Sequence, residues 1–182
     1  RNPMTKEFVS PYLGETYSMD DVQDAIKQRD KILKTEKNVS VKKCAKLLRE
    51  GKIVSVFQGR SESGRRALGN RSILGDPRNP DMREIINIKI KKREDFRPFA
   101  PSVIKEEANK YFDMNQDSPY MCAVYKAKNE IKHLIPVVVH VDGTARVQTV
   151  DRKSNEKFYS LINTFGKITG IPIILNTSLN VN

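Results

Sequence analysis

Short β-rich runs alternate along this chain with segments of helical period, and that alternation restricts it to an α/β fold. The run IVSVF, residues 53–57, reads as a buried strand. MCAVY, residues 121–125, and IPIIL, residues 171–175, read the same way. Residues 20–34 have the pattern of a polar helix. Ser40 can cap a second helix, which carries Val41, Cys44, Leu47 and Leu48 on one face and stops at Gly51. Pro80 and Asp81 announce a third over DMREIINIKI, and KEEANKYF reads as a short fourth. Ser154 opens an amphipathic helix with Phe158, Leu161, Ile162, Phe165 and Ile168 at helical spacing, ended by Gly170. In IPVVVHVDGTARVQTV, Asp142-Gly143 lies between two β-rich runs, a hairpin signal, so the sheet is expected to be mixed. RPFAPS, with Pro98 and Pro101, reads as a stiff extended loop.

A chain of 182 residues fits one domain with a real core. RNPMTKEFVSPYLGETYS has little periodicity and reads as a lead-in over residues 1–19, leaving residues 20–182 as the domain. The chain stops at LNTSLNVN, straight after a strongly apolar run, where domains seldom end, so a piece of a longer protein is expected. Cys44 and Cys122 are too few for a disulfide framework or a thiolate zinc site, and His133 and His140 are the only histidines. No structural metal is expected. With neither a membrane-length apolar run nor a signal peptide, a cytoplasmic protein is expected.

The formal net charge of +11 favours anionic partners: nucleic acid, acidic membrane or phosphorylated small molecules. Aromatic residues make up only 7% and Trp is absent, which argues against single-strand stacking. Four segments concentrate the relevant chemistry. GRSESGRRALGNRS, residues 59–72, gathers Arg60, Arg65, Arg66 and Arg71 among three glycines. A glycine-rich loop after a strand lets backbone approach a phosphate, and arginine forks match phosphate oxygens in pairs. It is not a standard P-loop, because Arg65 and Arg66 stand where Lys and Ser/Thr belong. The plainer alternative is a solvated loop whose arginines pair with Glu62 and Asp76.

KIKKREDFR holds Lys89, Lys91, Lys92, Arg93 and Arg97, either as a solvated face or as a clamp fixed by the stiff loop after it. Arg146 follows the hairpin turn and either stands exposed or projects from a sheet edge into a cleft. NTSLN, residues 176–180, sets amide and hydroxyl groups directly after a strand, as ordinary turns also do. His140 reads as a core or edge residue. No Ser/His/Asp or Cys/His nucleophile pattern stands out. Asp113, Asp117, Asp142 and Asp151 suggest no carboxylate dyad, although any one could help hold magnesium. Together the segments point to a site for a small, multiply charged anion, built from strand ends.

PYLGETYS, VFQGRSESGRRALGNRSILGDPR, KIKKREDFRPFAPS, SPYM, HVDGTARVQTV and ILNTSLNVN occur in that order. In them the chain resembles the C-terminal domain of the O-carbamoyltransferase family, which includes nodulation-factor, tobramycin and cephamycin carbamoyltransferases. The resemblance runs from about Pro11 to Asn182. It implies an α/β domain with a YrdC-like twisted mixed β-sheet and helices packed on it, preceded in full-length members by a metal-holding transferase domain of the actin-like ATPase superfamily.

The resemblance also implies binding of carbamoyl phosphate and of ATP with Mg2+. Carbamoyl phosphate gives carbamate and phosphate; carbamate attacks the α-phosphorus of ATP, releasing pyrophosphate and leaving carbamoyl-adenylate. The N-terminal domain then passes the carbamoyl group to an acceptor hydroxyl. On this implication Lys91, Arg97 and Arg146 are catalytic clamps, and Arg66, Asn176 and Ser178 bind the substrates. Arg60 and Arg71 would support the loop.

The sequence departs from the family's GRxEFGPRALGNRS at Ser63 and Arg65, which implies a more mobile loop. The glycine-containing segment and final helix that usually follow NTSxN are absent. YrdC-like folds also serve in tRNA modification, so the alternative is a basic RNA-binding module.

Overall fold

The computed structural model describes residues 9–29, 31 and 34–180. Five strands form one mixed sheet in the order β1-β2-β7-β3-β6. These are β1 (Val54–Phe57), β2 (Arg71–Gly75), β3 (Ala100–Ile104), β6 (Gln148–Val150) and β7 (Ile173–Ser178). Neighbours are antiparallel except β3 and β6, which run parallel with Ser102 opposite Gln148. A two-stranded ladder joins β4 (Tyr125–Lys126) to β5 (Thr144–Ala145).

Alternation along the strands sorts side chains onto two cores. On one face Leu74, Ile104, Val150 and Ile174 pack beneath α2 (Val41–Arg49) and α5 (Glu156–Thr169). Phe158, Ile162 and Phe165 of α5 are completely covered there, each contributing about 1.5–3 kcal/mol by leaving water. On the other face Val103, Ile173 and Leu175 meet Met82, Ile86, Phe112 and the segment from Ile131 to Val147. Towards the C-terminal end of β7 the α5-side face becomes polar, with Asn176, Ser102 and Gln148 in place of aliphatic side chains. The glycine-arginine loop lies over that polar end.

The locally encoded elements form where their caps put them. Ser40 accepts a hydrogen bond from the Lys43 N–H and starts α2. Gly170, in left-handed conformation at φ 81°, ends α5. The segment after Pro80 and Asp81 is helical, as α3 (Met82–Glu84) running into a π turn over Ile85–Ile90. KEEANKYF forms a 3-10 turn and the short α4 (Ala108–Tyr111).

Several expectations are corrected. The polar helix expected over residues 20–34 is α1 (Met19–Lys27), closed by a reciprocal Ser18–Asp21 capping box; residues 30, 32 and 33 lie outside the described residues. IVSVF is an edge strand whose Ser55 and Phe57 face out, because β1 has one neighbour and one covered face. In MCAVY only Tyr125 is in a strand, since Met121 takes a left-handed φ of 54°.

Asp142-Gly143 does turn the chain, with the His140 N–H donating to the Thr144 carbonyl at 2.7 Å. No hairpin results: Ile135, Val137 and Val138 fill the core as turns, so the mixed sheet owes its parallel pair to β3 and β6. Pro101 belongs to β3, near the strand's start and one residue before pairing with β6 begins. Asn155, not Ser154, caps α5, its Oδ1 accepting from the Phe158 N–H at 3.1 Å. β2 had no counterpart in the sequence reading, and NTS, read as the turn after the last strand, is its end.

The loop meets α5 at Gly69, whose φ is 110° and where a Cβ would lie 2.3 Å from Phe158 Cδ1. Gly64 has a similar φ of 105° but no neighbour within 4 Å. Gly69→Ala is therefore expected to cost about 3 kcal/mol or more, and Gly64→Ala about 1 kcal/mol, measured by urea unfolding. Equal costs at the two positions would refute the close packing of loop on helix.

Candidate anion-binding site

Of the loop's four arginines, two hold the loop together. Arg60 donates to the carbonyls of Leu13 and Gly14 at 2.8 and 3.0 Å. Arg71 donates to the carbonyls of Gln58 and Gly59 at 2.7 and 3.1 Å, and its guanidinium lies 3.7 Å from the Phe57 ring centroid. The lead-in joins in: the Ser63 N–H donates to the Pro11 carbonyl, and Tyr12 Oη to the Leu68 carbonyl. Burial pushes the Tyr12 hydroxyl up to about 12, so it remains a donor.

Arg65 and Arg66 remain exposed, without an ion pair among the described residues. The suggested pairing of loop arginines with Glu62 and Asp76 is not what forms. Asp76 is bound by Arg78 at 2.6 Å. Glu62 Oε1 accepts from the backbone N–H groups of Leu68, Asn70 and Arg71 at 2.7, 2.8 and 3.2 Å. Those N–H groups, which the sequence reading offered to a phosphate, are already satisfied.

The second cationic segment leaves the π turn at Lys91, and the structure brings it to the end of β7. Lys91 is 3% exposed, and its ammonium donates to Ser178 Oγ at 3.1 Å and to Asn180 Oδ1 at 2.8 Å, besides the carbonyls of both residues. All four acceptors are neutral. Burial, then the nearby Arg93 charge, pushes the Lys91 ammonium down from 10.5 to about 8. Lys91, Arg97 and Ser178 line one cleft of about 290 Å³ with Lys92, Arg93, Glu94 and Asn180. It holds four cations against one carboxylate, and Glu94 is engaged by Arg97 at 2.8 Å.

Sequence reasoning missed what fixes this segment. Asn87, fully buried in the π turn, donates through Nδ2 to the Asp95 and Arg97 carbonyls at 2.9 and 3.0 Å. Its Oδ1 accepts from Arg93 Nε at 2.7 Å. An amide inside an otherwise apolar helical run was the available signal. Asn180, Glu62 and Arg93 stood in the sequence motifs, but without the partners they take in the fold.

The remaining three residues form a second group. Asn176, 1% exposed, donates to the Ala67 carbonyl, Ser102 Oγ and Gln148 Oε1 at 3.0–3.1 Å, holding up the loop beside Arg66. Its Oδ1 and the Arg146 Nε are both buried without a hydrogen-bond partner. Burial, and after it the nearby Arg66 charge, lowers the Arg146 pKa from its ordinary range. The charges of Arg66 and Arg146 act on each other as repulsion, not as a pair. His140 is half-buried, and burial above all favours its neutral form, as a residue at the core's edge. Chemically, both groups offer desolvated cations and hydrogen-bonding groups that a multiply charged anion would satisfy.

A family model described as Carbamoyltransferase C-terminus matches residues 45–182. The chain is similar to Uncharacterized protein MJ1058 of Methanocaldococcus jannaschii, at 40% identity over 97% of this chain and 30% of that protein. It is similar to Nodulation protein NolNO of Sinorhizobium fredii, at 49% identity over 77% of this chain and 21% of that protein. Nodulation protein U of the same species is 41% identical over 78% of this chain and 25% of its own length. The chain therefore spans less than a third of the length of these relatives.

Among solved structures, full-length HypF in its phosphate- and nucleotide-bound form shares the fold. The TM-score is 0.50, with 20% identity, over 82% of this chain and 18% of that one. The α/β, YrdC-like class that the resemblance implied is the class observed. Among the described residues no helix is long and apolar enough to cross a membrane. With 138 residues matched in one continuous stretch, the chain belongs to the carbamoyltransferase C-terminus family.

Proposed function

We propose that this domain binds ATP and carbamoyl phosphate, that water releases carbamate and phosphate from the latter, and that carbamate displaces pyrophosphate from ATP to give carbamoyl-adenylate, which an N-terminal transferase domain of the longer protein uses to carbamoylate an acceptor hydroxyl. One observation carries the reading. Lys91 is buried among neutral oxygens beside Arg93 and Arg97, with its pKa already lowered, so a bound phosphate would supply the negative charge the site lacks.

Lys91, Arg97 and Arg146 clamp phosphate oxygens. As the carbamate oxygen attacks the α-phosphorus and the bond to pyrophosphate breaks, they offset charge building on the pentavalent phosphorus and the leaving group. Arg66, Asn176 and Ser178 hold the substrates by hydrogen bonds. Mg2+ would enter on the nucleotide phosphates.

Calorimetry on the 182-residue chain should show saturable binding of Mg2+-ATP and of carbamoyl phosphate, with pyrophosphate released when both are present. Arg146→Ala or Lys91→Ala should each weaken binding by about 2–5 kcal/mol. Wild-type affinity in both variants would refute the site. Failure to bind ATP, together with saturable, steeply salt-dependent RNA binding spread over many lysines, would favour the RNA-binding module instead.

The affinity should also depend on pH. A bound anion favours the charged Lys91, whose pKa in the free protein is about 8. Below that value no proton need be taken up, so affinity is flat; above it binding must recharge Lys91, so affinity falls. Lys91→Ala should lack this fall. An identical fall in the variant would assign the titration to another group.

A further inference from the structure

The loop carrying Arg66 has the shape of an anion-binding nest, yet its nest already holds an anion from its own chain. Three N–H groups, from Leu68, Asn70 and Arg71, converge on a single oxygen of Glu62. A fourth, from Gly69, donates to Ser72 Oγ at 3.0 Å. Residues 67–70 are buried, whereas Arg65 and Arg66 are exposed. The peptide carbonyl of Ala67, the residue after Arg66, accepts from Asn176 beneath it. The segment following Arg66 is thus held from one side by a carboxylate and from the other by a buried amide.

We propose that Glu62 is a positioning residue of the substrate site: its carboxylate fills the loop's nest as a built-in counter-anion and fixes where Arg66 points. The inference rests on the reading of Arg66 as a substrate-binding residue. It implies that this loop engages a phosphorylated ligand through guanidinium groups and not through its backbone amides, which sets it apart from a P-loop. It also explains how a loop with four arginines stays folded without ligand. Arg60 and Arg71 bind backbone carbonyls, Glu62 binds backbone amides, and only Arg65 and Arg66 are left to face outward.

A double-mutant cycle on the 182-residue chain tests this, using carbamoyl phosphate and Mg2+-ATP as probes and calorimetry for affinity. Arg66→Ala should weaken binding. Glu62→Ala should weaken it about tenfold, the scale of lost hydrogen bonds to a charged group, and added formate should restore part of the loss by entering the vacated nest. In the Arg66→Ala background, Glu62→Ala should cause no further loss, because its effect passes through Arg66. A merely structural Glu62 would lower affinity equally in both backgrounds, and that additivity would overturn the proposal.

If Glu62→Ala does not fold, Glu62→Gln keeps an oxygen in the nest without the charge and should weaken binding severalfold in the wild-type background only. A folded Glu62→Gln with wild-type affinity overturns the proposal. Wild-type affinity in Arg66→Ala overturns the reading beneath it, and this inference with it. Loss in Arg66→Ala but not in Glu62→Ala leaves that reading standing and overturns this inference alone.

Discussion

Three buried polar side chains carry the functional end of this domain. Ser102 donates to Gln148 Oε1 at 2.6 Å, Gln148 donates to the Leu68 carbonyl at 3.0 Å, and Asn176 donates to the Ala67 carbonyl at 3.0 Å. They come from three adjacent strands, β6, β3 and β7, and occupy the sheet face that elsewhere holds Leu74, Ile104, Val150 and Ile174 beneath α5. A buried polar group costs free energy unless it is bonded, so this face must be matched by the loop's carbonyls and not by aliphatic side chains. That requirement seats the glycine-arginine loop on the sheet. The Arg66 charge acts on Arg146 there, and β7 runs on from Asn176 to Ser178, where Lys91 docks.

Electrostatics at this end runs against folding economy. Lys91 is desolvated without a carboxylate, and Arg146 keeps a buried Nε unpaired. Such arrangements destabilise a protein by themselves, and the rest of the fold must offset them. The carboxylates nearby are committed elsewhere: Glu62 to backbone N–H groups, Asp76 to Arg78 and Glu94 to Arg97. What remains is unneutralised positive charge, which suits phosphate recognition and stabilisation of a phosphoryl transition state.

Local features of the fold were legible because their causes are local. Ser40 and Gly170 bound their helices through capping chemistry carried in a few residues. Strand order was not legible. IVSVF looks buried by composition, but its place at the sheet edge depends on which strands pair, a long-range outcome. MCAVY and the run from Ile135 to Val139 look like strands because they are apolar; the second is a core-filling turn, and the first is irregular, with Cys122 and Val124 exposed and only Tyr125 in β4. At the site, the residue types were visible and their partners were not. Lys91 and Arg97 share one basic segment and Ser178 lies far from both in the chain; charge reasoning pointed their segments toward one anion, but the Lys91–Ser178 contact is made only by the fold. The plainer alternative paired Glu62 with the arginines because charge reasoning matches side chain to side chain, whereas its three donors are backbone groups that no sequence displays.

The central claim is that these separated cations serve one site for the two phosphorylated substrates. Nitrogen-detected NMR of arginine and lysine side chains during titration with carbamoyl phosphate in the presence of Mg2+-ATP tests it most directly. The account predicts that the Arg66 and Arg146 Nε signals and the Lys91 ammonium shift together along one saturation curve. Shifts confined to exposed cations such as Arg29 and Arg49, growing without saturation, would contradict it.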